Sequence, residues 1–149
     1  HLDKDKYELW LVGDGERRPI LENLVKELDL TDNVKLLGIR NDIPNVLQTA
    51  DIIVMSSHFE GLSLSNIEGM SVNKPFIASN VDGLREVVDG YGVLFPHEDD
   101  KALASIIKNL SEDTDYYQQV AAKCWERAQM FDIHKMVDAY NEVYEGLIK

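Results

Sequence analysis

The chain has a single cysteine, Cys124, so no disulfide can form within it. A lone thiol fits a reducing, cytoplasmic setting. No apolar run approaches the roughly 20 residues needed to cross a bilayer. The N-terminus lacks the basic, apolar and small-residue zones of a secretory signal. Positive charge is scarce: 15 Lys and Arg stand against 27 Asp and Glu, a formal net charge of −12. That balance excludes general nucleic-acid binding, which needs a basic footprint. Any anionic ligand must be held locally, by backbone N–H groups, helix N-termini and a few cations. Histidine is rare too. His58 lies alone in its loop, and His97 and His134 are not spaced to complete a metal site with it. No metal is expected. Repeats, low-complexity tracts and linkers are also missing. The 149 residues, 44% hydrophobic, suffice for one domain, 1–149, with its own core.

What is present is alternation. Residues 7–12 (YELWLV) read as a strand that turns at Gly13-Asp14-Gly15. Pro19 sits where a first helical turn tolerates it, and Ile20, Leu21, Leu24, Val25 and Leu28 follow at helical spacing. A strand at 34–37 ends at Gly38, and a short helix covers about 43–48. Residues 51–55 (DIIVM) form an apolar run of buried-strand type. A polar loop (56–63), a helix (65–72) and a Pro75-led strand (76–78) come next. Then follow a loop (79–83), a helix (84–88) and a strand (91–95). Asp99 or Asp100 is placed to cap a helix reaching 110, and helices near 115–130 and 133–148 close the chain. Short apolar strands alternating with helices predict an α/β fold: a Rossmann-like, doubly wound parallel sheet covered on both faces, with extra C-terminal helices. Such folds bind ligands at the carboxyl ends of their strands. The loops there are 13–15, 38–42, 56–63 and 79–83.

The richest of these loops runs Ser57-His58-Phe59-Glu60-Gly61-Leu62-Ser63, and Glu68 follows Glu60 after seven intervening residues. A strand–loop–helix turn brings both carboxylates to one rim of the sheet. Gly61 lets backbone approach a ligand closely, and the N–H groups at the helix start can hold phosphate or sugar oxygens. Carboxylates accept bidentate hydrogen bonds from the vicinal hydroxyls of sugars. Taken singly, each glutamate is better read as a solvated acid; together in this setting they read as a site. His58 is better read as a polar loop residue. Arg40, beside Asn41-Asp42, either reaches a ligand or is a solvated loop charge. Arg85 with Glu86 reads as a helix-surface pair. Cys124, Trp125, Phe131, Tyr140 and Tyr144 read as packing for the last helices.

The pattern E-G-L-S-x4-E-G-M resembles the E-x7-E motif of GT-B glycosyltransferases of family GT4, or group 1. Leu11-Val12-Gly13-Asp14-Gly15 is similar to that family's "lvGdG" strand end. Val34-Lys35-Leu36-Leu37-Gly38, Ala50-Asp51-Ile52-Ile53-Val54, Asn73-Lys74-Pro75-Phe76-Ile77-Ala78, Val81 to Val88 and Gly90 to Pro96 also resemble family segments, in order. The resemblance spans nearly the whole chain. It departs at Gly69, where Ala is usual, and at Asn73 and Asp82, where Gly is common.

The resemblance implies the C-terminal, nucleotide-sugar-binding domain of a two-domain enzyme. Glu60 would contact donor-sugar hydroxyls and act as the catalytic residue. Gly61, Leu62 and Ser63 would offer N–H groups to sugar and distal phosphate, and Glu68 would hold the ribose. Gly38, Ile39 and Arg40 would line the base pocket, and Gly13 and Gly15 would let the strand end approach the nucleotide. Transfer would retain anomeric configuration, with a nucleoside-diphosphate sugar as substrate and neither cofactor nor metal. The family's first C-domain strand carries an Arg and a Lys that grip the diphosphate; neither is recognisable here. A fragment is therefore expected, lacking the N-terminal acceptor domain toward which the last helix of such enzymes crosses. The full-length enzyme would be peripheral at the membrane or cytoplasmic. Two other readings fit less well. An epimerase of the same fold does not explain the E-G-L-S-x4-E spacing. A receiver domain fails because the strand at 51–55 ends in Ser56-Ser57 rather than a phosphorylatable Asp.

Overall fold

A computed structural model describes residues 1–147. The expected end of the last helix at Ile148 lies outside the described residues. The chain divides into two compact units, 1–45 and 46–149.

In the first unit, β1 (Leu9–Val12) and β2 (Val34–Gly38) pair in parallel, joined by α1 (Arg18–Glu27). The register runs from Leu9 opposite Val34 and shifts between Leu11 and Val12. Pro19 occupies the first turn of α1, as expected. The strand begins at Leu9 rather than at residue 7. The Tyr7 carbonyl accepts from the Asn33 side-chain amide at 3.3 Å, so it is diverted from ladder pairing. No described residue of this unit is fully buried, and Ile20 on α1 is 65% exposed.

α2 (Ile43–Thr49) spans the boundary, and the second unit holds the core. Its sheet has the order β3 (Ile53–Met55), β4 (Phe76–Ser79), β5 (Val93–Phe95), all parallel. The connecting helices are α3 (Leu64–Met70) and α4 (Asp82–Val88); α5 (Asp100–Glu112), α6 (Thr114–Gln129) and α7 (Ile133–Leu147) follow. The α/β class is as expected, with parallel strands and helices after the sheet. Only the central β4 is buried at every residue, whereas Val54 on the outer strand β3 is partly exposed. Phe76, Ile77, Leu84, Val88, Leu110 and Cys124 fill the core, and α6 packs on α3, α4, α5 and β4.

Local hydrogen bonds explain the shifted boundaries. β3 starts at Ile53 because the Asp51 carbonyl accepts from the Tyr117 hydroxyl at 2.8 Å. β5 starts at Val93 because the Tyr91 and Gly92 N–H groups close α4 by donating to Val88 O. Ser71 Oγ donates to Glu68 O at 2.7 Å and marks the end of α3. Asp99 is the acid that caps α5, accepting from Ala102 N at 2.8 Å, a contact worth about 1 kcal/mol. Asp113 caps α6 in the same way. Asn73 takes the place of a common Gly in the family pattern, and its φ of 55° is a left-handed value that Asn tolerates. At Gly69 an added Cβ would lie 2.5 Å from Phe76 Cε2, so the large Phe76 ring accounts for Gly there.

Phe131 packs against the core, but Trp125, Tyr140 and Tyr144 are exposed, the last two stacked at 6.4 Å. Their packing role is therefore not seen within this unit. α7 exposes Met136, Val137 and Val143 as well.

Cys124 is buried as expected, with Sγ 3.6 Å from the Tyr91 carbonyl. Burial pushes its thiol up to about 11. At pH 8 about one thiol in a thousand would then be ionised, and the thiolate is the reactive form. Native protein should react with a disulfide reagent at pH 8 far more slowly than unfolded protein, with release of one thiol in denaturant. Equal rates in the two states would contradict this burial.

Candidate functional site

In the second unit, parallel strands aim their carboxyl ends the same way, so the loops after β3, β4 and β5 share an edge. Hydrogen bonds tie them together. Ser79 Oγ, at the end of β4, donates to the Ser57 carbonyl at 2.5 Å. Ser57 Oγ in turn donates to Glu60 Oε1 at 2.9 Å. Glu60 is half-buried and thus oriented at the mouth of β3. Gly61 and Leu62 follow it in the exposed loop, with Leu62 68% exposed. Ser63 is the N-cap of α3; its carbonyl accepts from Asn66 N at 3.1 Å, while its hydroxyl makes no cap bond. Glu68 lies exposed in α3 as its fifth residue, about one turn into the helix as expected.

Gly83 lies close against this edge. It lies inside α4, which begins at Asp82, two residues earlier than expected. A Cβ on Gly83 would overlap the carbonyl oxygens of Glu60 and Gly61. The start of α4 therefore supports the Glu60 loop backbone directly. In the sequence Gly83 stands only at the end of the 79–83 loop, and its place within the Val81–Val88 segment is the one signal of this role.

The first unit carries the remaining candidates. Gly13 (φ 117°) and Gly38 (φ 65°) both use left-handed backbone that glycine adopts freely. Gly13 N donates to Gly38 O at 2.8 Å, which joins the two strand ends. Gly15 N turns back onto Asp14 Oδ1 at 2.8 Å. Ile39 is 80% exposed. Arg40 grips Asp42 through two hydrogen bonds, Nε to Oδ1 at 2.8 Å and Nη2 to Oδ2 at 2.6 Å. These bonds hold the Asp42 carboxyl below its usual range and raise the Arg40 guanidinium above its own. Arg18, not singled out from the sequence, has Nη1 3.3 Å from where a Cβ on Gly38 would be. It is paired with Glu22 at 2.8 Å and Asp14 at 3.4 Å. Arg85 contacts Asp82 Oδ1 at 3.3 Å and Asn80, rather than Glu86. These three arginines are all engaged with carboxylates.

One reading is corrected. His97 does join His58: their ring nitrogens are 3.0 Å apart, although 39 residues separate them in sequence. The β3 and β5 ends flank β4 on one edge, which no spacing rule reveals.

The family profile described as glycosyl transferases group 1 matches residues 1–127. The chain belongs to that family. It is 32% identical over 140 residues to the lipopolysaccharide core biosynthesis glycosyltransferase LpsD of Rhizobium meliloti (strain 1021). That match covers 92% of this chain and 41% of LpsD. It is 30% identical to an Escherichia coli UDP-Gal:alpha-D-GlcNAc-diphosphoundecaprenol alpha-1,3-galactosyltransferase, covering 93% of this chain and 36% of that enzyme. The crystal structure of Anabaena Alr3699/HepE in complex with UDP superposes with TM-score 0.86 at 28% identity, over 94% of this chain and 41% of the other. The chain thus spans about two fifths of the length of these proteins. The GT-B architecture expected from the motifs is the architecture of these neighbours. No helix among the described residues is long and apolar enough to cross a membrane.

Proposed function

We propose that this chain is the donor-binding domain of a retaining glycosyltransferase and that Glu60 and Glu68 bind the nucleoside-diphosphate sugar. The observation that carries this reading is the placement of the E-G-L-S-x4-E pattern. Glu60 is oriented by Ser57 at the mouth of β3, and the N–H groups of Gly61 to Ser63 lead into α3. The UDP bound to Anabaena Alr3699/HepE and the UDP-Gal donor of the Escherichia coli galactosyltransferase support the ligand class.

Glu60 takes the sugar hydroxyls, Gly61, Leu62 and Ser63 the sugar and distal phosphate, and Glu68 the ribose. Gly13 and Gly15 allow the nucleotide close to backbone, and Gly38, Ile39 and Arg40 line the base pocket. Transfer needs no cofactor. Departure of the nucleoside diphosphate requires charge stabilisation, by backbone N–H groups and by cations not already committed to carboxylates. The acceptor is presented by a second domain, and the apolar residues of α7 are suited to pack against it. Closure would exclude water and align the acceptor hydroxyl with the anomeric carbon.

The test is a thermal-shift screen of the full-length enzyme against UDP-, GDP- and ADP-sugars. A cognate donor at 100 times its Kd adds about 2.7 kcal/mol, a clear rise in Tm. Failure of every donor to raise Tm at millimolar concentration counts against the reading.

A further inference from the structure

The geometry points to a zinc-class metal site formed by His58, His97 and Glu98, separate from the residues assigned to the donor. His58 Nδ1 lies 3.0 Å from His97 Nε2 and 3.6 Å from Glu98 Oε1, and His97 Nε2 lies 3.9 Å from the same oxygen. These are three edges of one triangle. A point about 2.1 Å from all three atoms, a Zn–N and Zn–O bond length, exists close to the plane of the triangle, and side-chain shifts of a few tenths of an ångström would lift the ion out of that plane as a tetrahedral site requires. A tetrahedral zinc with such bonds has ligand–ligand edges of about 3.4 Å, whereas an octahedral face has edges of about 3.0 Å. The observed edges of 3.0, 3.6 and 3.9 Å scatter about the tetrahedral value.

The chemistry of the donor set agrees. Two imidazoles and one carboxylate suit zinc and neighbouring transition metals, not magnesium or calcium, which prefer oxygen alone. The three side chains reach solvent, so an ion can enter without opening the fold. An open cavity of about 190 Å³ adjoins them, with Ser56, Ser79 and Asp100 among its walls. That cavity leaves room for a water as fourth ligand. Glu98 occupies left-handed backbone, φ 63°, although it is not glycine. In that conformation its carboxylate lies beside both rings.

A bound ion would fasten the loop after β3 to the loop after β5. His58 is two residues before Glu60, so the metal would stiffen the segment that carries Glu60. It acts as a tether and takes no part in sugar transfer. The inference holds whether or not the donor assignment does.

The test is a competition titration of the intact chain with zinc and a chromophoric indicator, paired with hydrogen exchange. One zinc per chain should bind at micromolar affinity or better. His97→Ala and Glu98→Gln should each weaken binding at least about tenfold. His134→Ala should bind as wild type does, and magnesium should not compete. Zinc should slow amide exchange across residues 57–62 in wild type and not in His97→Ala. The site is overturned if no zinc is taken up at micromolar concentration. It is equally overturned if the His97→Ala/Glu98→Gln double variant binds as wild type does, or if binding is lost in His134→Ala.

Discussion

Gly83→Ala is expected to lower the melting temperature of the chain by roughly 5–10 °C. The added methyl has nowhere to go. It would overlap the main-chain oxygens of Glu60 and Gly61, and main chain, unlike the end of a long side chain, cannot swing aside. Either α4 lifts off β4 or the Glu60 loop is pushed outward. The first disturbs Leu84, Val87 and Val88, all buried in the core. The second moves the proposed sugar contact. Overpacking of this kind costs about 1–3 kcal/mol. Thermal denaturation followed by circular dichroism measures it. Gly61→Ala is the contrast, since a Cβ there would meet nothing within 4 Å; its Tm should stay within about 2 °C of wild type. Equal melting temperatures for Gly83→Ala and wild type would show that α4 does not press on the loop.

In the full-length enzyme, Glu60→Gln and Glu68→Gln should each cut kcat/KM by about ten- to a hundredfold, in different ways. Glutamine keeps the size of the side chain and removes the charge. Hydrogen bonds to charged groups are worth about 1.5–3 kcal/mol, and about 1.4 kcal/mol is tenfold in rate or affinity. Loss at the sugar should fall chiefly on kcat, because contacts near the anomeric carbon strengthen in the transition state. Loss at the ribose should raise KM, because that contact is made alike in ground and transition states. Steady-state kinetics with the cognate donor separates the two. Near wild-type turnover in both variants would sink the assignment, and identical kcat effects would remove the division of roles. Ser57 belongs to the same argument: its hydroxyl orients Glu60, so Ser57→Ala should lower kcat by a smaller factor.

Much of this architecture could be read from local signals. Pro19 and Asp99 mark helix starts because their chemistry acts within one turn, and both stand where expected. The glycines at 13 and 38 mark strand ends because left-handed backbone favours them. Features set by distant partners were harder to read. The strand at 51–55 is shortened by Tyr117, 66 residues away. The first strand is shortened by the Asn33 side chain. The pairing of His58 with His97 depends on strand order, and the support given by Gly83 depends on the path of α4. Hydrophobic pattern located the apolar faces but not their burial: α1 and α7 have the right stripes, and both leave them exposed. Of the candidate site, the motif gave residue identities and approximate placement; the hydrogen bonds from Ser79 through Ser57 to Glu60 were not visible in it.

The burial of Cys124 has a practical side. The chain's single native thiol is held inside the core, so its exterior is blank to maleimide chemistry under native conditions. A cysteine introduced at an exposed position can be labelled without first removing the native one, whose replacement would disturb the packing around Gly92 and Phe76.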